Sequence, residues 1–266
     1  EFVHTVQFRN GWQGSVWNVD PAFDAGGISY DRRLTYYLVI EGAATYVETR
    51  YVREFVPGMA DGDALASAYA DASAYERLNL ARYHLGAEYV DERVDSPAAL
   101  ETVHRNPPES SEQVLHNSTD PVESLTVTTT ETGDWTERGR DRQGELFLRV
   151  ALRTELNRST AVDAAHGWGD DRRITFERGD RTATAWTLHW DDAENATEFE
   201  AGFDRYLEAK ATRNGSVWEQ PDGPATYRVV EATDETTVVL LGDETFVRAA
   251  TVNATGENAV DIGVAG

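Results

Sequence analysis

With 266 residues, a formal net charge of −23 and a pI near 4.5, the chain can bury a substantial core and is expected to form two substructures. Acidic residues outnumber basic ones 47 to 24, and Lys210 is the one lysine, so repulsion excludes duplex nucleic acid and anionic lipid as general partners. An acidic, lysine-poor surface of strongly hydrated carboxylates points to a high-salt environment.

Cysteine is absent, which removes disulfides and thiolate chemistry. Five N-x-S/T sequons begin at Asn117, Asn157, Asn195, Asn214 and Asn253, although the chain has only ten asparagines. That excess leads us to expect an exported, cell-surface or extracellular protein carrying N-glycans. No stretch approaches the roughly 20 apolar residues of a membrane span. No leader is visible, as expected if the natural chain starts further upstream.

In chain order, residues 1–9 read as the end of a helix stopped at Asn10-Gly11. A loop follows over 11–30, containing Trp12, Trp17, Pro21 and Gly26-Gly27. A long helix is expected from Arg32 to Phe55, with Asp31 as N-cap and Pro57-Gly58 as its stop. An alanine-rich helix over 62–85 comes next, then a short one over 97–104 with Ser96 as cap and Pro97 at its first position. Residues 105–124 read as a polar connection. Beyond it, strands are expected over 125–130, 173–176, 182–190, 226–230 and 237–241, and helices over 144–156 and 193–211. The fold class is therefore α+β: a helical lobe over 1–120 followed by a mixed strand and helix lobe over 121–266.

The chemistry concentrates at the start of the chain. Glu1-Phe-Val-His4 is an E-x-x-H pair, and a histidine immediately before Glu1 would complete H-E-x-x-H. That motif sets two imidazoles on one helix face around a glutamate able to act on a metal-bound water. The spacing alone is weak evidence, because Glu101-Thr-Val-His104 repeats it with Leu100 where the first histidine would stand. We read that second copy as structural. On the long helix, Leu34, Leu38, Glu41, Thr45, Glu48, Val52 and Phe55 fall near one stripe, which would turn Glu41 and Glu48 inward. A buried carboxylate needs a cation, a metal or a shared proton. The alternative partners are Arg32, Arg50 and Arg53.

A metal-binding helix followed by a glutamate-bearing helix resembles the gluzincin pattern of zinc peptidases. Glu41-Gly-Ala-Ala-Thr-Tyr-Val-Glu48, the segment Pro107–His116, the segment Gly167–Arg172, and Trp190-Asp-Asp-Ala with Glu198-Phe199 also look like blocks of a family of exported gluzincin-like proteins of archaea and bacteria. Ala43 and Asn117 depart from that family's usual aspartate and proline. The resemblance implies one Zn2+ held by His4, Glu41 and the upstream histidine, with Glu1 as general base and a peptide or protein as substrate. Glu48 is then a candidate to orient a ligand, and His116 and Tyr51 are candidates to stabilise an oxyanion. His116 also reads as an ordering residue of its connecting segment. Trp12, Trp17 and Tyr30 are candidates to line a cleft or simply to fill the core. His166, His189 and the Gly167-Trp-Gly turn read as parts of the fold. A different class of function is a non-catalytic surface module that keeps the architecture without the full ligand set.

Overall fold

The computed structural model describes residues 1–12, 27–56, 62–221 and 223–264. Trp17, Pro21, Gly26 and the expected Pro57-Gly58 stop lie outside the described residues. The fold is α+β, with a helical N-terminal part and a β-rich C-terminal part. The chain divides into two compact units, Glu1–Pro121 and Val122–Gly266. Among the described residues no helix is long and apolar enough to cross a membrane.

The first unit contains α1 (Phe2–Arg9), α2 (Tyr30–Phe55), α3 (Gly62–Asp71), α4 (Ala74–Arg93), a 3-10 turn (Pro97–Ala99), α5 (Glu101–Arg105) and α6 (Ser111–Leu115). Ser29, rather than Asp31, caps α2: its hydroxyl accepts from the Arg32 N–H at 3.0 Å. Asp31 is fully buried and accepts from both the backbone N–H (3.1 Å) and the hydroxyl of Ser111, tying α6 to α2. Residues 62–85 do not form one helix. The chain breaks at Ser73, whose N–H donates to Glu76 at 3.1 Å and opens α4 with a capping box.

The buried residues of α2 include Leu34, Thr35, Leu38, Val39, Gly42, Ala43 and Tyr46. This face is centred roughly a third of a turn from the expected stripe, at 3.6 residues per turn. Gly42 and Ala43 set its direction, because small residues let α4 approach. A Cβ on Gly42 would stand 2.2 Å from the Gly86 carbonyl carbon, and one on Gly86 would stand 2.1 Å from the Leu38 oxygen. The helices meet backbone to backbone there, and the apolar stripe read from the sequence lies to one side of the contact.

The second unit has β1 (Thr126–Thr130), β2 (Thr136–Asp141), α7 (Glu145–Leu152), α8 (Arg158–Asp163), β3 (Trp168–Arg178), β4 (Arg181–Trp190), α9 (Ala193–Lys210), β5 (Thr212–Asn214), β6 (Val217–Glu219), β7 (Thr226–Thr233), β8 (Thr236–Gly242), α10 (Glu244–Ala249), β9 (Ala250–Gly256) and β10 (Ala259–Val264). Seven strands pair antiparallel in the order β2-β3-β4-β8-β7-β6-β5. A second, three-stranded sheet has the order β1-β10-β9, with β1 parallel to β10. Both faces of the large sheet are covered, so alternation splits each central strand between two cores. Ala183, Ala185, Val238 and Leu240 join Val127, Val260, Ile262 and Phe246 on one side. Trp186, Leu188, Trp190 and Val239 join Leu148, Ala161, Phe199 and Leu207 on the other.

Candidate functional site

His4 and Glu41 meet in the first unit. His4 Nε2 lies 3.4 Å from Glu41 Oε2, and the two side chains are 27% and 22% exposed. Both side chains are partly exposed. His4 Nδ1 lies 2.8 Å from Gln7 Oε1, and Gln7 Nε2 donates to the Ile40 carbonyl at 3.0 Å. Gln7, wholly buried, therefore links the two helices one residue away from Glu41.

Gln7 Nε2 also lies 3.5 Å from His104 Nε2, and the His104 ring stacks on Trp12 with centroids 4.8 Å apart. Burial drives the His104 imidazole down to a pKa of about 4, keeping it neutral. Glu101, its partner in the second E-x-x-H, is exposed and accepts from Arg105 Nε at 2.7 Å. The spacing thus produces no second carboxylate–imidazole site. It does place a neutral histidine behind Gln7. The sequence carried a signal for Gln7, three residues beyond His4 on the same helix face, and none for its contact with a residue 97 positions away.

The other candidates do not converge on this pair. Glu1 is exposed at the N-cap of α1. Glu48 is exposed rather than inward-facing, because the buried face of α2 lies elsewhere. Tyr51 is 58% exposed and rests on Phe55, with ring centroids 5.1 Å apart. It stands roughly 15 Å along the helix axis from Glu41 at 1.5 Å per residue. His116 is exposed at the end of α6, its N–H bonded to the Glu112 carbonyl at 2.9 Å. Two of the three alternative arginines are engaged with oxygens elsewhere: Arg32 donates to Pro108 O at 2.6 Å and Arg50 to Asp95 O at 2.9 Å. Tyr30 opens α2 beneath the Arg33 guanidinium, 5.5 Å from its ring.

Two ligands of one tetrahedral zinc, each bonded at about 2.0–2.1 Å, stand about 3.3–3.4 Å apart. The His4–Glu41 separation fits that edge, and an imidazole with a carboxylate is a suitable donor set. Among the described residues no group of three His, Asp or Glu side chains could hold a metal, and His4 and Glu41 supply two donors.

The second unit holds a different polar centre. Asp171 is completely buried and accepts from the N–H groups of Gly144 (2.8 Å) and Gln143 (3.0 Å) and from the indoles of Trp186 (2.8 Å) and Trp168 (3.2 Å). Burial pushes its carboxyl up to about 6, opposed chiefly by the Gly144 and Gln143 hydrogen bonds. Asp170, also completely buried, takes Arg142 Nε at 2.6 Å and Arg172 Nη1 at 2.7 Å. Gly167, with φ of +70°, makes the turn that launches this segment, and a Cβ there would stand 2.2 Å from Asn195 Cγ. His189 Nε2 lies 2.9 Å from Glu123 Oε2, while its Nδ1 lies 2.9 Å from Thr236 Oγ1.

The sequon asparagines occupy unlike settings. Asn117 has a positive φ of 49° and accepts from Arg93; Asn157 caps α8, accepting from the Thr160 N–H at 3.0 Å. Asn214 donates to Glu219 at 3.1 Å beside a turn, and Asn253 is exposed on β9. Asn195 is half-buried within α9 against Gly167.

A family model described as a domain of unknown function (DUF8575) matches residues 130–255. The matched stretch runs from the end of β1 into β9, so it contains the Asp170–Asp171 centre and not the His4–Glu41 pair. No curated protein and no solved structure matches the chain.

Proposed function

We propose that the chain belongs to an exported, gluzincin-like, zinc-dependent peptidase that hydrolyses peptide bonds in a high-salt extracellular setting. The observation that carries this reading is the 3.4 Å approach of His4 Nε2 to Glu41 Oε2, made by residues 37 positions apart on separate helices. His4, Glu41 and a histidine directly before Glu1 would hold the metal. When bound, zinc would supply a water acidified towards neutrality and a Lewis acid for the scissile carbonyl. Glu1, in solvent and three residues before His4, would take up the proton at its carboxylate. Glu41 would add negative charge beside the imidazole and keep a cation favoured there. Glycans are expected at the exposed Asn117, Asn157, Asn214 and Asn253 rather than at Asn195.

The test is elemental analysis of protein carrying its native upstream residues, purified in molar salt, beside its Glu41→Ala variant. One zinc per chain, lost in the variant, supports the site; a peptidase screen with Glu1→Gln as the inactive reference follows. The second reading, a non-catalytic surface module, is favoured by the ability of protonated His4 and Glu41 to satisfy each other as an ion pair without a third donor. Absence of bound metal after zinc is offered selects that reading.

A further inference from the structure

The two sheets of the second unit end in four edge strands, and three of these are guarded. β2 carries Glu137, Arg138, Arg140 and Asp141 among its six residues and is bulged between Glu137 and Gly139. β1 is covered from β2: Arg140 Nη1 donates to the Val127 carbonyl at 3.0 Å, and the Thr129 hydroxyl donates to Glu137 at 3.0 Å. β5 is only three residues long. Charge, bulges and short length are the usual means by which a sheet edge is kept from pairing with another chain. β9 differs. Its sequence, Ala-Thr-Val-Asn-Ala-Thr-Gly, has no ionisable side chain in a chain of net charge −23. Arg228 occupies the Ala250 carbonyl, and the register with β10 leaves Thr255 without an opposite residue. Between these points residues 251–254 pair with β10 on one side, and among the described residues their backbone groups have no other partner. Thr251, Asn253 and Ala254 are exposed.

We propose that the open β9 edge pairs two copies of this chain, antiparallel about a two-fold axis near residues 252–253, and that carbohydrate on Asn253 closes it. Each copy contributes the same strand, so assembly stops at a dimer. The ends of β9 match under that symmetry. Arg228 and Arg248 stand at its beginning, where Arg248 is held by Glu244 at 2.7 Å and Glu219 at 2.6 Å. At its far end Asp234, Glu235 and Glu257 line a cavity of about 420 Å³ with Thr233 and Gly256. Antiparallel pairing sets each acidic end beside the arginines of the other copy, whereas parallel pairing would set acid against acid. Opposite residues of such a pair have Cβ atoms about 4.5–5.5 Å apart, which leaves no room for a glycan on Asn253. Repulsion between two chains of charge −23 opposes association, and in 1 M salt it is screened within about 3 Å. The glycan step rests on the exported reading above; pairing of the bare edge does not.

The test combines light-scattering mass with hydrogen exchange on the full chain made without glycosylation. In molar salt the mass should approach twice 29.5 kDa, falling towards one chain in about 0.1 M salt, where charges act over about 10 Å. The amides of residues 251–254 should gain protection as the dimer forms. Thr251→Glu combined with Asn253→Glu, folded by circular dichroism, sets like charges across the pair and should stay monomeric. Asn214→Glu combined with Ser216→Glu adds the same charge at the exposed β5–β6 turn and should still dimerise. A chain that is monomeric in molar salt, or dimeric with 251–254 unprotected, overturns the proposal. So does protection of those amides in the monomer by an unrelated Thr/Val-rich extended peptide, which would assign the edge to a different protein. The glycosylated chain should be monomeric and its Asn253→Gln variant dimeric. If mass spectrometry finds no sugar on Asn253, the glycan step fails while the pairing stands.

Discussion

Each unit buries an ionisable centre, and the two centres are built in opposite senses. In the β-rich unit Asp171 has no solvent contact and is surrounded by donors: two backbone N–H groups and two indoles. Hydrogen bonds to the charged form work there against the cost of burial. In the helical unit His104 is equally inaccessible, but it lies against the Trp12 ring and the Gln7 carboxamide, and burial keeps it neutral. The buried acid Asp171 is met by four donors, whereas the buried imidazole of His104 stays uncharged. The helical unit also carries the large exposed side chains, among them Phe2, Phe8, Tyr51, Phe55 and Tyr75. Its partly open His4–Glu41 pair belongs to that looser surface.

The largest effect that would sharpen this contrast comes from the α2–α4 contact. Gly42→Ala places a methyl 2.2 Å from backbone that cannot swing aside, so the helices must separate. We expect a loss of roughly 3 kcal/mol or more. Hydrogen exchange should record it as lost protection in α2 and α4 with β3 and β4 unaffected; unchanged α2 protection would refute the close crossing.

Acidification should change the stabilities of the two units in opposite directions. His104 has a folded pKa of about 4, below its ordinary value of 6.5. Its contribution is present above pH 6.5 and is lost as pH falls through the folded value, roughly 2–3 kcal/mol between pH 7 and 4.5. Asp171, raised from 3.8 to about 6, behaves oppositely. Its contribution is full below the unfolded value and is lost as pH rises through 6, so the same change to pH 4.5 gains roughly 2 kcal/mol. Hydrogen exchange read separately for α5 and β3 across this range should show opposite slopes, and parallel slopes would break the comparison.

Trp186→Phe removes the indole donor from Asp171 Oδ2 while the Gln143 N–H remains 3.0 Å away. A loss of roughly 1.5–3 kcal/mol is expected for a hydrogen bond to a charged group. The carboxyl should titrate above about 6, since one of the interactions holding it down is gone; carbonyl NMR of Asp171 would detect the shift. Ser73→Ala, the mildest change, removes half of the capping box of α4. It should cost about 1 kcal/mol or less by thermal unfolding.

Several elements were legible because local rules decided them. The helix over 193–211, the strand over 182–190 and the long second helix match α9, β4 and α2 closely. The edge strand β2 (Thr-Glu-Arg-Gly-Arg-Asp) was not legible, because its place comes from pairing with β3 rather than from alternation. The five-residue α6 was missed for a similar reason: its Ser111 is anchored by Asp31, eighty positions earlier.

The sequence by itself determined the α+β order, the acidic and cysteine-free chemistry, and the choice of His4 and Glu41 as a pair to consider. The first two follow from composition and short-range periodicity, which need no knowledge of neighbours; the choice of the pair follows from the resemblance to the gluzincin pattern. Only the tertiary structure decided that Glu48 faces water, that Asp31 is a buried tie rather than a cap, and that Gln7 stands between His4, Ile40 and His104. A helix's buried face is set by what packs on it, and at Gly42 that partner is the backbone of Gly86. Hydrogen-bond partners 33 and 97 positions away obey distance in space, which no spacing along the chain encodes.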